Sequence, residues 1–314
     1  MTATDLGATT ADRFVDLPAG PRICYRVEGP DDGVPLLLIA GLGIDLTSWP
    51  QRMVDGFTAR GFRVVRFDNR DIGRSSQIGT PRPGRLRQLL ARPRADAYDL
   101  ADMAADAFGL LEHLAVERVH LVGMSMGGMI AQTLAARHPE RVASLTSIFS
   151  TTGDRSVGQP ARSTLLRLAK GPSPTVEDSV ERHLGMLAHI GSSTLLPDEE
   201  LERAWATGFW ERGGGVRARA GVPRQIGAIQ ASGDRTAEVA SITAPTLVVH
   251  GSTDRMVHPT GGRATAAAVP GARFVEIAGM GHHLAPGVVD RLVDLTTELA
   301  RSTGAPLPTT GDPR

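Results

Sequence analysis

Ser125 stands in the run GMSMGG (123–128), with an apolar stretch, VERVHLV, before it and a helix-like stretch, MIAQTLAARH, after it. A small hydroxyl on a sharp strand-to-helix turn is lifted clear of a sheet. Such a turn crowds the positions two before and two after it, and glycine at 123 and 127 removes the side chains that would collide. This is the G-x-S-x-G nucleophile elbow. A hydroxyl is a poor nucleophile until a base takes its proton, so the elbow requires an acid and a histidine downstream, in the order Ser, Asp, His. Asp254 in VVHGSTDRMV and His282 in VEIAGMGHHLAP meet that order. Asp154 is the rival acid and His283 the rival base. An acyl-transfer site also needs two N–H donors for its oxyanion. One is the backbone of Met126, directly after the serine; the other comes from AGLGIDLTSW (40–49), where Leu42 lies between Gly41 and Gly43.

These residues need strands that end at one common edge. Continuous or alternating apolar runs predict strands at 22–29, 35–41, 62–68, 119–124, 142–150, 245–251 and 272–279. Helical periodicity predicts helices at 97–116, 126–138, 261–269 and 288–300. Alternation of this kind defines an α/β chain with a mostly parallel central sheet and helices on both faces; the first two or three strands are expected as an antiparallel edge. Segment 152–241 shows no strand pattern. Thr175 and Asp178 stand in a capping-box relation, and Val176, Val180, Leu184 and Leu187 follow at helical spacing. Pro197 opens a further helix with Leu201, Trp205 and Phe209 on one side. The expected organisation is a core of 13–151 and 242–301, a helical cap over 152–241, and disordered ends at 1–12 and 302–314. Trp49, Met186, Leu187, Trp205, Phe209, Trp210, Ile226 and Ile229 are the candidates to line an apolar pocket under the cap; any one of them could equally glue cap to core.

Composition narrows the partners. The chain has 314 residues, 34 basic and 34 acidic side chains, and 41% hydrophobic residues. Balanced charge gives no reason to expect a nucleic-acid partner. Lys170 is the only lysine and Cys24 the only cysteine, so no internal disulfide forms, which fits a reducing cytoplasm. The N-terminus lacks a basic start followed by an apolar core, so no signal peptide is expected. The apolar runs are too short to span a bilayer, and a soluble monomer or homodimer without stable membrane insertion is expected. The Arg-rich stretch 79–97 reads as a solvated insertion with a short helix; a weak site for anionic or lipid surfaces is the sharper alternative. His113, His120, His138, His183, His189, His250 and His258 read as structural or solvated. None has metal-ligand spacing, so neither metal nor cofactor is expected.

With these motifs in place, the chain resembles the α/β-hydrolase fold superfamily over roughly residues 15–301. FDNRDIGRSS (67–76), GMSMGGMIAQ (123–132), HGSTDRMVHPTGGR (250–263) and GMGHHLAP (279–286) resemble the aclacinomycin methylesterase-like and mycobacterial lipase/esterase-like group. The resemblance implies Ser125 as nucleophile, Asp254 as acid, His282 as base, Leu42 and Met126 as oxyanion donors, and a helical cap. It implies cleavage of a small-molecule apolar carboxylic ester through an acyl-enzyme. Thioester, lactone or carbon–carbon bond hydrolysis and cofactor-free perhydrolysis use a similar triad, and a ligand-binding receptor module on the same fold is the alternative of another class. Two positions depart from the superfamily pattern. Ala40-Gly41 stands where many members have His-Gly, and Asp71 where many have glycine. Asp68, Arg70 and Asp71 read as loop braces.

Overall fold

The computed structural model describes residues 11–18, 20–168, 173–192 and 194–307. Lys170, residues 1–10 and residues 308–314 lie outside it, so the expectation of disorder at both ends concerns residues mostly not described. Where the ends are described they are held. Asp12, expected in a frayed segment, forms ion pairs with Arg26 at 2.6 Å, Arg74 at 3.0 Å and Arg212 at 3.1 Å. At the other end the last helix runs to Ser302 and Leu307 is buried against the core.

Eight strands form one sheet: β1 (Arg13–Asp16), β2 (Arg22–Glu28), β3 (Val34–Ile39), β4 (Phe62–Phe67), β5 (Val119–Met124), β6 (Val142–Ile148), β7 (Thr246–Gly251) and β8 (Arg273–Ile277). Their order is β1-β2-β4-β3-β5-β6-β7-β8. The first two pairings are antiparallel and the remaining five parallel. The expected antiparallel edge is therefore present, with β1 as a strand the hydrophobic pattern did not predict: its RFVD offers too little alternation.

The helices are α1 (Gln51–Thr58), α2 (Arg85–Leu89), α3 (Leu100–His113), α4 (Met126–Arg137), α5 (Arg162–Leu168), α6 (Val176–Ile190), α7 (Glu199–Arg212), α8 (Val222–Ser232), α9 (Thr236–Val239), α10 (Thr260–Ala268) and α11 (Pro286–Ser302). They cover both faces of the sheet, which is why the central strands read as unbroken apolar runs. Leu37 and Ile39 of β3 join one core with Leu110 and Leu111 of α3 and Ile130 and Leu134 of α4. Leu36 and Leu38, on the opposite face by strand alternation, join a second core with Phe57 of α1 and Leu292 of α11. Asp99 caps α3 with a complete capping box to Asp102.

Chain direction creates the site. After β3 the chain leaves for the α1 face; after the neighbouring β5 it leaves for the α4 face. A crevice opens where two adjacent parallel strands send their connections to opposite faces, outside their C-terminal ends. The segment between β6 and β7 supplies α5 to α8, while α9 packs on α4 and α10 as part of the core. The 79–97 stretch contains α2 with Leu86 and Leu90 exposed, tied to α8 by Gln88 Nε2 donating to the Pro223 carbonyl at 3.2 Å. No helix among the described residues is long and apolar enough to cross a membrane.

Candidate active site

Ser125 has φ 54° and ψ −122°, between the end of β5 and the first residue of α4. This backbone is held on all sides. Ser125 N donates to Ile148 O at 2.9 Å, and its carbonyl accepts from Gly128 N at 3.0 Å and Ser150 Oγ at 2.8 Å. Gly123 is required for the reason the spacing suggested, since a Cβ there would overlap the carbonyl of Gly127; a Cβ on Gly127 would instead overlap the carbonyl of Ile39, at the end of the neighbouring β3. The N–H of Met126 lies in the first turn of α4, where it has no carbonyl one turn back, at the positive end of the helix dipole.

The loop after β3 lies directly over the serine. A Cβ on Gly41 would be 3.3 Å from Ser125 Cβ. Asn69 Nδ2 donates to Ala40 O at 3.0 Å, and Gly43 N donates to Gln225 Oε1 at 2.9 Å. Gln225 Nε2 in turn donates to Arg70 O at 2.9 Å. The half-buried Leu42 therefore lies between two pinned glycines. The side-chain support absent at Ala40 is supplied by Asn69 and Gln225, which sequence reasoning missed. Gln225 sits on α8, 182 positions from Gly43, and no local pattern announces it.

Asp254 follows β7 and His282 follows β8. His282 Nδ1 is 2.7 Å from Asp254 Oδ2. The other oxygen, Oδ1, accepts from the backbone N–H groups of Met256 and Val257 at 2.8 and 2.9 Å. His250 Nε2 is 3.3 Å from Oδ2 and 2.8 Å from the Val257 carbonyl. Burial alone would raise the Asp254 carboxyl. The charge of His282 and the hydrogen bonds from His250 and His282 outweigh it, and Asp254 is held below the usual carboxylate range. His250, read as merely structural, thus braces the acid. The His282 ring packs on Phe149, the residue after β6, with centroids 4.3 Å apart.

The rivals are placed elsewhere. Asp154 accepts from Ser156 N and Oγ at 2.8 and 2.9 Å, bracing its own exposed turn. His283 Nε2 is 2.8 Å from Glu202 Oε1. The loop residues 68–71 brace, as expected, but heavily. Asp68 accepts from Leu46 N and Arg74 N at 2.9 and 2.8 Å and pairs with Arg212 at 2.8 Å. Burial pushes Asp68 up to about 6 despite the pull of Arg212. Asp71 has φ 73°, a backbone conformation that glycine adopts most readily, and is paired with Arg224 and with Tyr98 Oη at 2.8 Å.

Of the candidate pocket residues, Trp49 is buried with Met53 and Phe57 in the α1-side core, and Ile229 packs against the α3–α4 core. Trp49 is 1% exposed in the bend before α1, and Ile229 lies on α8, which packs on α3. Phe209 is buried with Ile72 and Ala218, with Trp205 against them. Trp205 Nε1 also donates to Thr47 Oγ1 at 3.2 Å. Trp210 lies against Gly215. Leu187 is buried; Met186 and Ile226 are half-buried on the inserted helices.

The fold and this crevice define a class. The model of the alpha/beta hydrolase fold family matches residues 34–285, and the chain belongs to that family and is a hydrolase. It is 32% identical over 278 residues to rhodomycin D methylesterase DauP of Streptomyces sp. (strain C5), covering 82% of this chain and 87% of that protein. It is 31% identical over 283 residues to rhodomycin D methylesterase DnrP of Streptomyces peucetius, with the same two coverages, 82% and 87%. Among solved structures, the enol-lactonase from Burkholderia xenovorans LB400 superposes with a TM-score of 0.71 at 24% identity, covering 92% of this chain and 100% of that one, a likeness of fold.

Proposed function

We propose that the protein is a serine hydrolase cleaving carboxylic esters, with Ser125 as nucleophile, His282 as general base and Asp254 as its partner. The observation that carries this reading is the 2.7 Å pairing of His282 Nδ1 with a buried carboxylate, beyond the same sheet edge at which Ser125 occupies a strained elbow. Asp254 holds the ring in the tautomer whose Nε2 is free to accept a proton, and favours the imidazolium that forms. Ser125 attacks the acyl carbon as His282 takes its proton. The oxyanion develops beside the N–H groups of Met126 and Leu42, on the order of 3 kcal/mol for each donor. His282 then protonates the leaving alcohol, and water clears the acyl-enzyme by the same route. The methylesterase relatives favour a methyl ester, and Met186, Trp205 and Ile226 are the side chains of the insertion proposed to meet it.

The test is turnover of a short p-nitrophenyl ester together with labelling by a fluorophosphonate. Ser125→Ala is expected to abolish labelling and to lower kcat on the order of 10⁶-fold. A Ser125→Ala protein that still turns over the ester would overturn the assignment. Wild-type protein that labels at Ser125 but turns over no ester in a broad panel would favour a ligand-binding role for the fold.

A further inference from the structure

The loop carrying His282 is held by the inserted helices as well as by the sheet. The N–H of His282 donates to the carbonyl of Ile190, the last residue of α6, at 2.7 Å. Gly281 is pressed against the carbonyls of Ile190 and Gly191 so closely that no Cβ would fit. One residue on, His283 Nε2 is 2.8 Å from Glu202 Oε1 of α7, and the second oxygen of Glu202 is 2.7 Å from His183 Nε2 of α6. These three side chains are 17–18% exposed. Further along the same face of α7, Trp205 reaches Thr47 at 3.2 Å and Arg212 reaches Asp45 at 2.7 Å. One helix thus runs from the loop of His282 to the loop that contains Leu42.

We propose that Glu202 is a positioning residue for His282: its carboxylate fixes His283, and with it residues 281–283, so that the imidazole is aimed at Ser125. The proposal rests on the reading of His282 as the base. Asp254 grips one ring nitrogen, and Ser252 and Thr253 of the turn after β7 hold Gly279 and Met280. Residues 281–283 are held from the other side by α6 and α7. A carboxylate suits the position because it offers separate acceptor oxygens to two ring N–H donors. An apolar residue would strand both imidazoles in a largely buried place. The His–Glu–His set is used in this way to join cap, loop and base, and α7 acts as a strut between base and oxyanion loop.

The experiment is steady-state kinetics on a short p-nitrophenyl ester together with the rate of Ser125 labelling by a small fluorophosphonate. Glu202→Ala is expected to lower kcat about 10- to 100-fold with KM within about two-fold, since a misplacement of about 1 Å costs on that order. The labelling rate falls in step. Glu202→Gln keeps one acceptor of the same reach and recovers part of kcat. Arg203→Ala, on the same helix, breaks only exposed pairs with Glu181 and Glu199 and leaves kcat unchanged. Should Glu202→Ala fail to fold, His283→Leu is read with the same expectations. Wild-type kcat in Glu202→Ala, a loss confined to KM, or no recovery in Glu202→Gln overturns the proposal. Labelling of Glu202→Ala at the wild-type rate overturns it alone, whereas absence of Ser125 labelling in the wild-type protein overturns the serine-hydrolase reading with it.

Discussion

Three non-glycine residues around the crevice occupy left-handed backbone: Asp71 at φ 73°, Ser125 at 54° and Phe149 at 38°. Each such conformation costs roughly 1–3 kcal/mol and persists only where its surroundings over-determine it. Ser125 is fixed by Ile148, Gly128 and Ser150, Phe149 by its N–H to Val249 O at 2.8 Å and by the His282 ring, and Asp71 by Arg224, Tyr98 and the N–H of Ile78 at 2.8 Å. Glu202 is the residue-scale group whose charge reports its partners. Burial alone would raise its carboxyl, but hydrogen bonds from His183 and His283 pull it from an ordinary 4.5 down to about 2. A carboxyl depressed in the fold contributes stability that is complete above its unfolded value and is lost as pH falls towards the folded one. Urea unfolding of wild type and Glu202→Gln should therefore show a gap that is constant above about pH 5 and narrows between about 4.5 and 2. A gap unchanged across that range would mean the carboxylate is not held by the two imidazoles.

At the scale of elements, the β5–α4 junction leaves no room for a side chain at Gly123 or Gly127. α4 starts immediately after Ser125 and crosses over the end of β3, so Gly127 sits on the Ile39 and Ala40 carbonyls. Gly127→Ala must push helix and strand apart. The expected loss is about 2 kcal/mol or more, seen as a lower urea midpoint, and it should come with reduced Ser125 labelling because the helix N-terminus moves away from the serine. A variant as stable and reactive as wild type would show that the elbow is slack. The short β1 edge strand and α1 were not legible in the hydrophobic pattern. RFVD is too short to show a period, and QRMVDGFT fits barely two turns of helix between loops. The long central strands were legible because burial on both faces leaves them almost purely apolar.

At the scale of the whole molecule, the inserted helices are fastened to the core by buried charge. Arg212 of α7 pairs with Asp45 at 2.7 Å and Asp68 at 2.8 Å, both carboxylates fully buried, and with Asp12 at 3.1 Å. Burial would lower the Arg212 guanidinium, but Asp68, Asp45 and Asp12 hold it above its ordinary value. Removing one member of such a set leaves uncompensated buried charge. Arg212→Met is expected to destabilise by about 3–5 kcal/mol at pH 8. The deficit should shrink at pH 5, as Asp68, already pushed up to about 6 in the wild type, takes a proton. Chemical denaturation at the two pH values checks both parts; a loss under about 1 kcal/mol would mean the set contributes nothing net. Fastening α7 in this way also fixes its far end, where Glu202 meets His283.

From the sequence alone follow the α/β order, the glycine-framed serine, and the placing of an acidic residue and a histidine after late strands, because strand runs and tight turns are written in neighbouring residues. The choice between Asp254 and Asp154 as the partner of His282 was decided only by the tertiary structure. So was the pairing of Asp71 with Arg224. These contacts join residues remote in the chain, as when Gln225 reaches the loop after β3. Their partners are chosen by topology, which brings strand ends and inserted helices together without leaving a periodic trace in the local sequence.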